Sequence, residues 1–224
     1  VTIPEAQRME PPATGVKMLL DLLHRSRLQF PGMGVGLIKR LLDEGLHHCR
    51  SRHVGGRPLF DYDQVQKRLA GLQASFTICS ALCAHSSRRA NLDQDLSRSG
   101  LEANATKSVV TDLMQSASQS LLQLVGAKGY RLDHIAGRSV VDSRPFQIFE
   151  GSNDILYQQI SESVLKLMRK VRETNLLRFL GNFDLTSRAS DYLKEFLDIE
   201  IDAGMPQRKL VELGRALGRI LTME

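Results

Sequence analysis

Apolar residues recur along most of the chain with the spacing of an α-helix. In the clearest stretch they stand at positions 65, 69, 72, 76, 79 and 83, and steps of three and four place them on one helix face. The same repeat runs through 110–124 and 156–171. It also covers 16–30 and 35–49, and the Pro31-Gly32 pair between these segments predicts a break in the first long helix.

Two shorter helical patterns follow, around 184–197 and 207–221, with a Gly-Met-Pro sequence between them. Apart from Val1-Thr2-Ile3, no segment has the composition of a strand. We therefore predict an all-α fold: an up-down four-helix bundle of long amphipathic helices over 16–172, with an extra C-terminal helical tail over 173–224. Four glycines near the first long helix are expected to allow close approach of the backbone; they are Gly32, Gly34, Gly36 and Gly45.

The charge and cysteine content narrow the possible partners and compartment. The 224 residues carry a formal charge of +5, which favours anionic partners such as nucleotide cofactors, CoA esters or nucleic acid. The three cysteines all fall within helical patterns, as expected for buried thiols in a reducing compartment. Because we find no signal-peptide pattern and no apolar run of membrane-spanning length, we expect a cytoplasmic protein, or a mitochondrial matrix protein in a eukaryote.

The segment 126–153 interrupts the helical repeat with Gly, Pro, Arg and His, and leaves room for a short helix after Asp133. A long irregular connection inside a helical domain is often functional. Within it, the stretch QIFEGSNDI places Glu150 just before a predicted helix that has Ser152 as its N-cap. Glu150 is either an ordinary turn residue or a carboxylate placed on a loop for chemistry.

Three sequence boxes in order resemble those of one family. They are RHVGGRPL at 52–59, QLVGAKGY at 123–130 and FEGS at 149–152. They are similar to the R-x-x-F-G-x-P-I, Q-x-x-G-G-x-G-Y and Y-E-G-T boxes of the C-terminal helical domain of acyl-CoA dehydrogenases. The helix ending at Arg27 also matches, and VTIP at 1–4 looks like the last strand of the family's middle β domain. The resemblance covers about residues 1 to 170, with 1–15 as the end of the β domain and a linker.

The resemblance implies an FAD-dependent oxidation of acyl-CoA thioesters to enoyl-CoA. Glu150 stands at the position of the base that removes the α-proton, and a carboxylate suits this task when it can reach that proton. On the substrate side the resemblance implies roles for Arg27, Phe149 and Gly151. Arg27 has an alternative, an ion pair with Asp21 or Glu44 on the surface.

The resemblance assigns five further residues to FAD: Arg52, Gln123, Gly126, Ala127 and Ser152. Arg52 matches an arginine that clamps the FAD pyrophosphate of a neighbouring subunit, a task suited to the planar guanidinium. The alternatives are ordinary structural roles: a solvated arginine for Arg52, a helix C-terminus for Gly126 and a helix N-cap for Ser152.

The resemblance also implies partners that the chain alone cannot supply. They are a homodimer or homotetramer, an acyl-CoA substrate, and an electron-transfer flavoprotein or oxygen as electron acceptor. Because the family's N-terminal and middle domains hold most of the flavin and substrate pocket, we expect the chain alone to be inactive.

Four departures from the family boxes leave two other interpretations open. Gly55 replaces a phenylalanine, Ala127 a glycine and Val141 an arginine, and His24 stands where an acidic residue is common. The alternatives are a DNA-binding homologue of the alkylation-response type, favoured by the basic charge, or a catalytically decayed oligomerisation bundle. Nucleic acid is not the expected partner.

A group of His and Cys residues at 47–53 does not have the spacing of a zinc site. We therefore predict no metal site.

Overall fold

The computed structural model describes residues 4–7, 12–202 and 204–224. Within these ranges the regular secondary structure is helical except for one two-stranded hairpin and an isolated bridge between Asn175 and Glu200, which confirms the all-α class. The predicted strand at Val1-Thr2-Ile3 lies outside the described residues.

Ten α-helices occupy the described part of the chain: α1 (Gly15–Arg27), α2 (Phe30–Ser51), α3 (Asp63–Arg89), α4 (Gly100–Val125), α5 (Ile135–Ser143), α6 (Asn153–Val171), α7 (Leu176–Gly181), α8 (Ser187–Asp191), α9 (Lys194–Leu197) and α10 (Gln207–Leu221). The hairpin consists of β1 (His53–Val54) and β2 (Arg57–Pro58), and short 3-10 segments cover Glu5–Gln7, Leu59–Asp61, Gly126–Tyr130 and Arg144–Gln147.

The break between the first two helices lies earlier than predicted. α1 ends at Arg27, and Pro31 stands in the first turn of α2. A proline is tolerated there because the first backbone N–H groups of a helix have no partner within the helix. Pro31 therefore belongs to the start of α2 and does not interrupt a helix.

The hairpin contradicts the prediction that only Val1-Thr2-Ile3 forms a strand. β1 and β2 are antiparallel and have two residues each, too short for an alternating pattern to be visible in the sequence. The two turn residues, Gly55 and Gly56, have φ of +58° and +83°, the left-handed conformation that a two-residue hairpin loop requires. The family departure at Gly55 thus coincides with a position where the backbone favours glycine.

The single helix predicted over 184–197 is also wrong. The structure has α8 and α9 there, and α7 precedes them. The side chain of Asn175 caps α7 by accepting from the backbone N–H of Arg178, and the Thr186 hydroxyl donates to the carbonyl of Leu180. The Asn175 bond caps the start of α7, and the Thr186 bond lies between the end of α7 and the start of α8. Asn and Thr side chains commonly form such local bonds, which compete with a continuous helix.

α4 lies between two apolar clusters. On one side it packs with α2 and α3 around residues such as Ile38, Leu72 and Leu121. On the other side α6 and α10 pack with α7, α8 and α9 around residues such as Ile160 and Leu217. Because both faces of α4 are covered, every residue from Ala103 to Thr111 is buried.

Two of the four glycines in α2 have the predicted role. A Cβ on Gly34 would lie 3.0 Å from Cys79 and from Val110, and one on Gly45 would lie 3.3 Å from Leu69. A Cβ on Gly36 would meet nothing within 4 Å. Close packing of α2 thus depends on Gly34 and Gly45.

The cysteines are free thiols. Cys49 and Cys79 are buried, as predicted from their helical positions, whereas Cys83 is half-buried.

α10 is seated directly on the backbone of α6. A Cβ on Gly214 would overlap the carbonyl oxygen of Tyr157, and Gly218 lies against the Tyr157 ring. Residues 207–221 therefore form part of the packed structure, with glycine required at the closest point.

Substituting Ala for Gly214 is expected to destabilise the chain by about 3 kcal/mol, the upper part of the usual range for overpacking, because the obstacle is backbone. The matched control is Gly71→Ala in α3, where a Cβ would meet nothing within 4 Å. That control should raise stability by about 0.5–1 kcal/mol through helix propensity. Urea unfolding of both variants measures the difference, and equal stabilities would contradict the close contact.

Candidate active site

The loop that carries Glu150 has an unusual backbone. Glu150 has φ of +55° and Gly151 has φ of +92°. A residue other than glycine rarely adopts a positive φ, and it does so when its surroundings hold it there. The conformation of Glu150 therefore requires specific contacts.

Two residues at the end of α1 make such contacts. The hydroxyl of Ser26 donates to Oε1 of Glu150 at 2.7 Å, and the Arg27 guanidinium donates to the backbone carbonyl of Glu150 at 2.5 Å. The other carboxylate oxygen, Oε2, is buried and has no hydrogen-bond partner among the described residues. One oxygen of Glu150 is thus held by Ser26, and the other is buried without a partner among the described residues.

Gly151 is enclosed by its neighbours. A Cβ there would lie 3.0 Å from Leu156 and 3.3 Å from the Arg27 guanidinium. Together with the positive φ, this crowding makes glycine the residue that fits.

A buried lysine lies on the inner side of the loop. Lys107 of α4 has no exposed surface, and its ammonium donates to the carbonyl of Gly151 at 2.9 Å and to Oδ1 of Asn153 at 3.0 Å. Burial, aided by the nearby charge of Arg27, lowers the pKa of Lys107 to about 8, against the opposing effect of Glu150 and Asp112.

Asp112, one turn further along α4, completes the support of the loop. Its carboxylate accepts from the side chains of Asn153 at 2.7 Å, Gln147 at 2.6 Å and Tyr157 at 2.7 Å. Burial and the neighbouring carboxylate raise the pKa of Tyr157 above its ordinary value. The segments on both sides of Glu150 are therefore bonded to one carboxylate.

Arg27 is buried, and the structure rules out the surface ion pair considered for it. Its guanidinium donates to Asn104 at 2.6 Å, whereas Asp21 pairs with Arg25 and Glu44 with His134. Burial lowers the pKa of Arg27, and Glu150 partly offsets this effect. Arg27 thus supports Glu150 through the hydrogen bond to its backbone carbonyl.

Phe149 and Ser152 flank the Glu150–Gly151 pair. The Phe149 ring lies 6.0 Å from that of Phe30 and 5.4 Å from that of Phe146, centre to centre, which fixes the chain just before Glu150. Ser152 is the N-cap residue of α6, as predicted, but its side chain makes no capping hydrogen bond.

A second group of predicted residues lines a groove at the other end of α4. Arg52, Gly126 and Ala127 border a cavity of about 540 Å³ together with Lys128 and His48. Burial lowers the pKa of His48, and the charges of Lys128 and Arg52 add to this effect. The groove is therefore cationic and suits an anionic group such as a phosphate.

Gln123 does not line this groove, and its side chain is exposed on α4. The predicted FAD residues thus divide into three places: the groove, the exposed surface of α4 and, for Ser152, the loop beside Glu150.

Four of the supporting residues were absent from the sequence-based prediction: Ser26, Lys107, Asp112 and Asn153. The stretch ANATKSVV at 103–110 holds a signal that could have indicated Lys107. A lysine there stands among small and apolar residues inside a long helix, where full burial requires specific partners.

Neither a metal-binding cluster nor a membrane-spanning helix is found within the described ranges. No cluster of three or more His, Cys, Asp or Glu side chains there is arranged to bind a metal. No helix there combines the length and apolar character needed to cross a membrane.

Comparison with known proteins identifies the class as an all-α domain of a flavoenzyme family. The model of the family described as acyl-CoA dehydrogenase, C-terminal domain, matches residues 13–165. Because the match covers most of the chain, this protein belongs to the acyl-CoA dehydrogenase family through that domain.

Curated relatives agree with this assignment. The chain is 26% identical to a (2S)-methylsuccinyl-CoA dehydrogenase of Cereibacter sphaeroides over 67% of its own length and 27% of the relative's. It is 24% identical to a glutaryl-CoA dehydrogenase of Desulfococcus multivorans, over 69% of the chain and 39% of the relative. The chain thus spans well under half the length of these relatives.

Solved structures show the same fold. A glutaryl-CoA dehydrogenase in complex with glutaryl-CoA matches with a TM-score of 0.59 at 22% identity, over 74% of this chain and 41% of that one. An acyl-CoA dehydrogenase from Slackia heliotrinireducens matches with a TM-score of 0.62 at 17% identity, over 75% and 44% of the two chains.

Lys107 is expected to make the free energy of unfolding depend on pH in the alkaline range. Its pKa of about 8 in the folded chain lies below the ordinary 10.5, so between these values the unfolded chain holds the extra proton and the free energy of unfolding rises with pH. This contribution is complete above 10.5 and is lost as the pH falls through 8. Lys107→Met should flatten the rise by on the order of 2–3 kcal/mol.

Urea unfolding at pH 7.5 and 10 measures this slope. Lys166→Met, at an exposed position of α6, is the control and should keep the wild-type slope. A Lys107→Met chain with an unchanged slope would contradict the lowered pKa.

Proposed function

We propose that this chain is the C-terminal domain of an FAD-dependent acyl-CoA dehydrogenase in which Glu150 removes the α-proton of an acyl-CoA thioester. One observation carries the proposal: Ser26 holds Oε1 of Glu150 while Oε2 is buried without a partner in the described part of the chain. A positioned carboxylate oxygen with no competing donor is what a general base requires.

The geometry supports a division of tasks among the residues of this chain. Ser26 and Arg27 fix the direction of the Glu150 carboxylate, Gly151 gives the loop its left-handed bend, and Phe149 closes the loop against an aromatic cluster. The Glu150 carboxylate would take the α-proton. FAD, when bound, supplies the acceptor for the β-hydride.

The cationic groove fits the pyrophosphate of FAD. Arg52 and Lys128 supply charge there, and the φ of +60° at Gly126 exposes the backbone beside them. Eighteen residues of α4 separate Lys107 from Val125, a rise of about 27 Å along the helix. The resemblance, which assigns Arg52 to the FAD of a neighbouring subunit, supports a groove that serves the FAD of a second copy, and hence a homodimer or homotetramer.

The rest of the parent protein completes the site in this proposal. The chain covers 27% and 39% of the two curated relatives, so most of the flavin and acyl-CoA contacts would come from other domains. The electron acceptor would be an electron-transfer flavoprotein or oxygen.

Glu150→Gln in the full-length parent protein should abolish acyl-CoA dehydrogenation and leave FAD content and thermal stability nearly unchanged. Gln keeps the volume and can still accept from Ser26, but an amide cannot take the α-proton, and loss of positioned proton transfer costs about 10²–10⁴-fold or more. Glu195→Gln, at an exposed position of α9, is the matched control. The measurement is flavin bleaching on anaerobic mixing with a panel of acyl-CoA esters.

Equal bleaching by Glu150→Gln and wild type would assign Glu150 to an ordinary turn. Absence of bleaching in both, with tight and salt-sensitive DNA binding, would favour the alkylation-response homologue. Absence of both activities would favour a decayed bundle.

Arg52→Gln in the same protein should raise the dissociation constant of FAD by about tenfold or more and lower its occupancy after gel filtration, because a charge-assisted bond to the pyrophosphate contributes about 1.5–3 kcal/mol. Arg98→Gln, at an exposed position before α4, should keep full occupancy. Equal flavin content in the two variants would exclude Arg52 from the cofactor site.

A further inference from the structure

Lys107 is a fully buried cation whose hydrogen-bond partners are neutral. Its ammonium contacts a carbonyl and an amide oxygen, and none of the ion pairs found in the described ranges includes it. Burying a charge without an opposite charge in contact is costly. A neutral apolar residue would avoid that cost, so the contacts made by the ammonium must account for a lysine at this position.

Both hydrogen-bond partners of Lys107 lie within three residues after Glu150 in the sequence. Gly151 is the next residue, and Asn153 begins α6. Lys107 on one side and Arg27 on the other thus hold two consecutive carbonyls, those of Gly151 and Glu150. These bonds fix the two peptide groups that follow Glu150.

We propose that Lys107 is a positioning residue for Glu150: its ammonium anchors the carbonyl of Gly151 and the side chain of Asn153, and this anchor keeps the Glu150 carboxylate on Ser26. The proposal rests on the proposed function of Glu150. Without the anchor, the left-handed pair at 150 and 151 is free to relax toward ordinary backbone angles. The carboxylate then leaves the position at which it meets the α-proton.

The charges around the loop agree with this role. Two cations, Lys107 and Arg27, and two carboxylates, Glu150 and Asp112, influence one another across α1, α4 and the loop. Removing Lys107 takes the ammonium donor away from the Gly151 carbonyl and leaves Asn153 with one donor fewer. A carbonyl left without a donor raises the free energy of this loop conformation, so we expect the loop to rearrange.

The test uses the full-length parent protein with bound FAD and the variant Lys107→Met, which removes the donor and the charge at similar volume. We expect kcat to fall by about 10- to 100-fold, because a displacement of about 1 Å costs up to 10²-fold. The dissociation constant of the acyl-CoA ester should change by less than about threefold. Amide hydrogen exchange at 150–153 should accelerate by about tenfold or more.

Two controls separate positioning from general damage. Lys166→Met removes an exposed lysine from α6 and should behave as wild type. Leu180→Ala removes a fully buried side chain of the tail cluster, so it should lower the melting temperature with kcat and loop exchange unchanged.

Conservative variants complete the test. Lys107→Arg keeps charge and donors and should retain more of kcat than Lys107→Met. If Lys107→Met does not accumulate as folded protein, Lys107→Gln replaces it, since its shorter uncharged side chain cannot span to Gly151 and should show the same loss.

Unchanged kcat and loop exchange in Lys107→Met, with Glu150→Gln inactive, would overturn the positioning role and leave the proposed function intact. A fall in kcat that Leu180→Ala matches at equal loss of stability would also overturn it. Full activity of Glu150→Gln would overturn both proposals together.

Discussion

Two hydrogen bonds from buried cations hold the backbone carbonyls of the Glu150–Gly151 pair. Arg27 donates to the Glu150 carbonyl and Lys107 to the Gly151 carbonyl. A left-handed conformation at a glutamate is unfavourable by itself, and these bonds provide the surroundings that hold it. The direction of the Glu150 side chain, and its bond with Ser26, depend on that backbone.

The two bonds are possible because α4 is covered on both faces. The α2–α3 cluster lies against one side and the α6–α10 cluster against the other, which removes Lys107 from solvent and leaves loop oxygens as its partners. Tyr157 connects this arrangement to the tail, since its hydroxyl donates to Asp112 while Gly214 and Gly218 of α10 pack against it. The tail beyond the family match thus contacts the helix that begins at Asn153.

The groove at Arg52 has a different physical basis. It lies where α2 and α4 end, and the hairpin turn at Gly55 follows Arg52 closely. Its cationic residues are accessible, unlike those beneath the loop. The domain therefore combines exposed charge that can meet a phosphate with buried charge that acts on the protein's own backbone.

The sequence by itself determined the long helices, because apolar residues at steps of three and four require a buried face wherever the helix packs. It also determined the end of α4 at Gly126 and the extent of α10. Glu150 could be singled out as a candidate base because it stands in a motif that resembles the family box. The sequence did not determine the hairpin, since two-residue strands leave no periodic pattern, nor the division of 176–197 into three short helices by Asn175 and Thr186.

Only the tertiary structure decided the surroundings of Glu150. Ser26, Lys107 and Asn153 are far apart in the chain, and each belongs to a helix whose pattern gives no sign of a shared loop. A lysine in a helix is ordinarily solvated, and its burial follows from the packing of α4 between two clusters. Contacts between distant segments depend on how helices pack, and this is why the candidate base and Arg27 were visible in the sequence while Ser26, Lys107 and Asn153 were not.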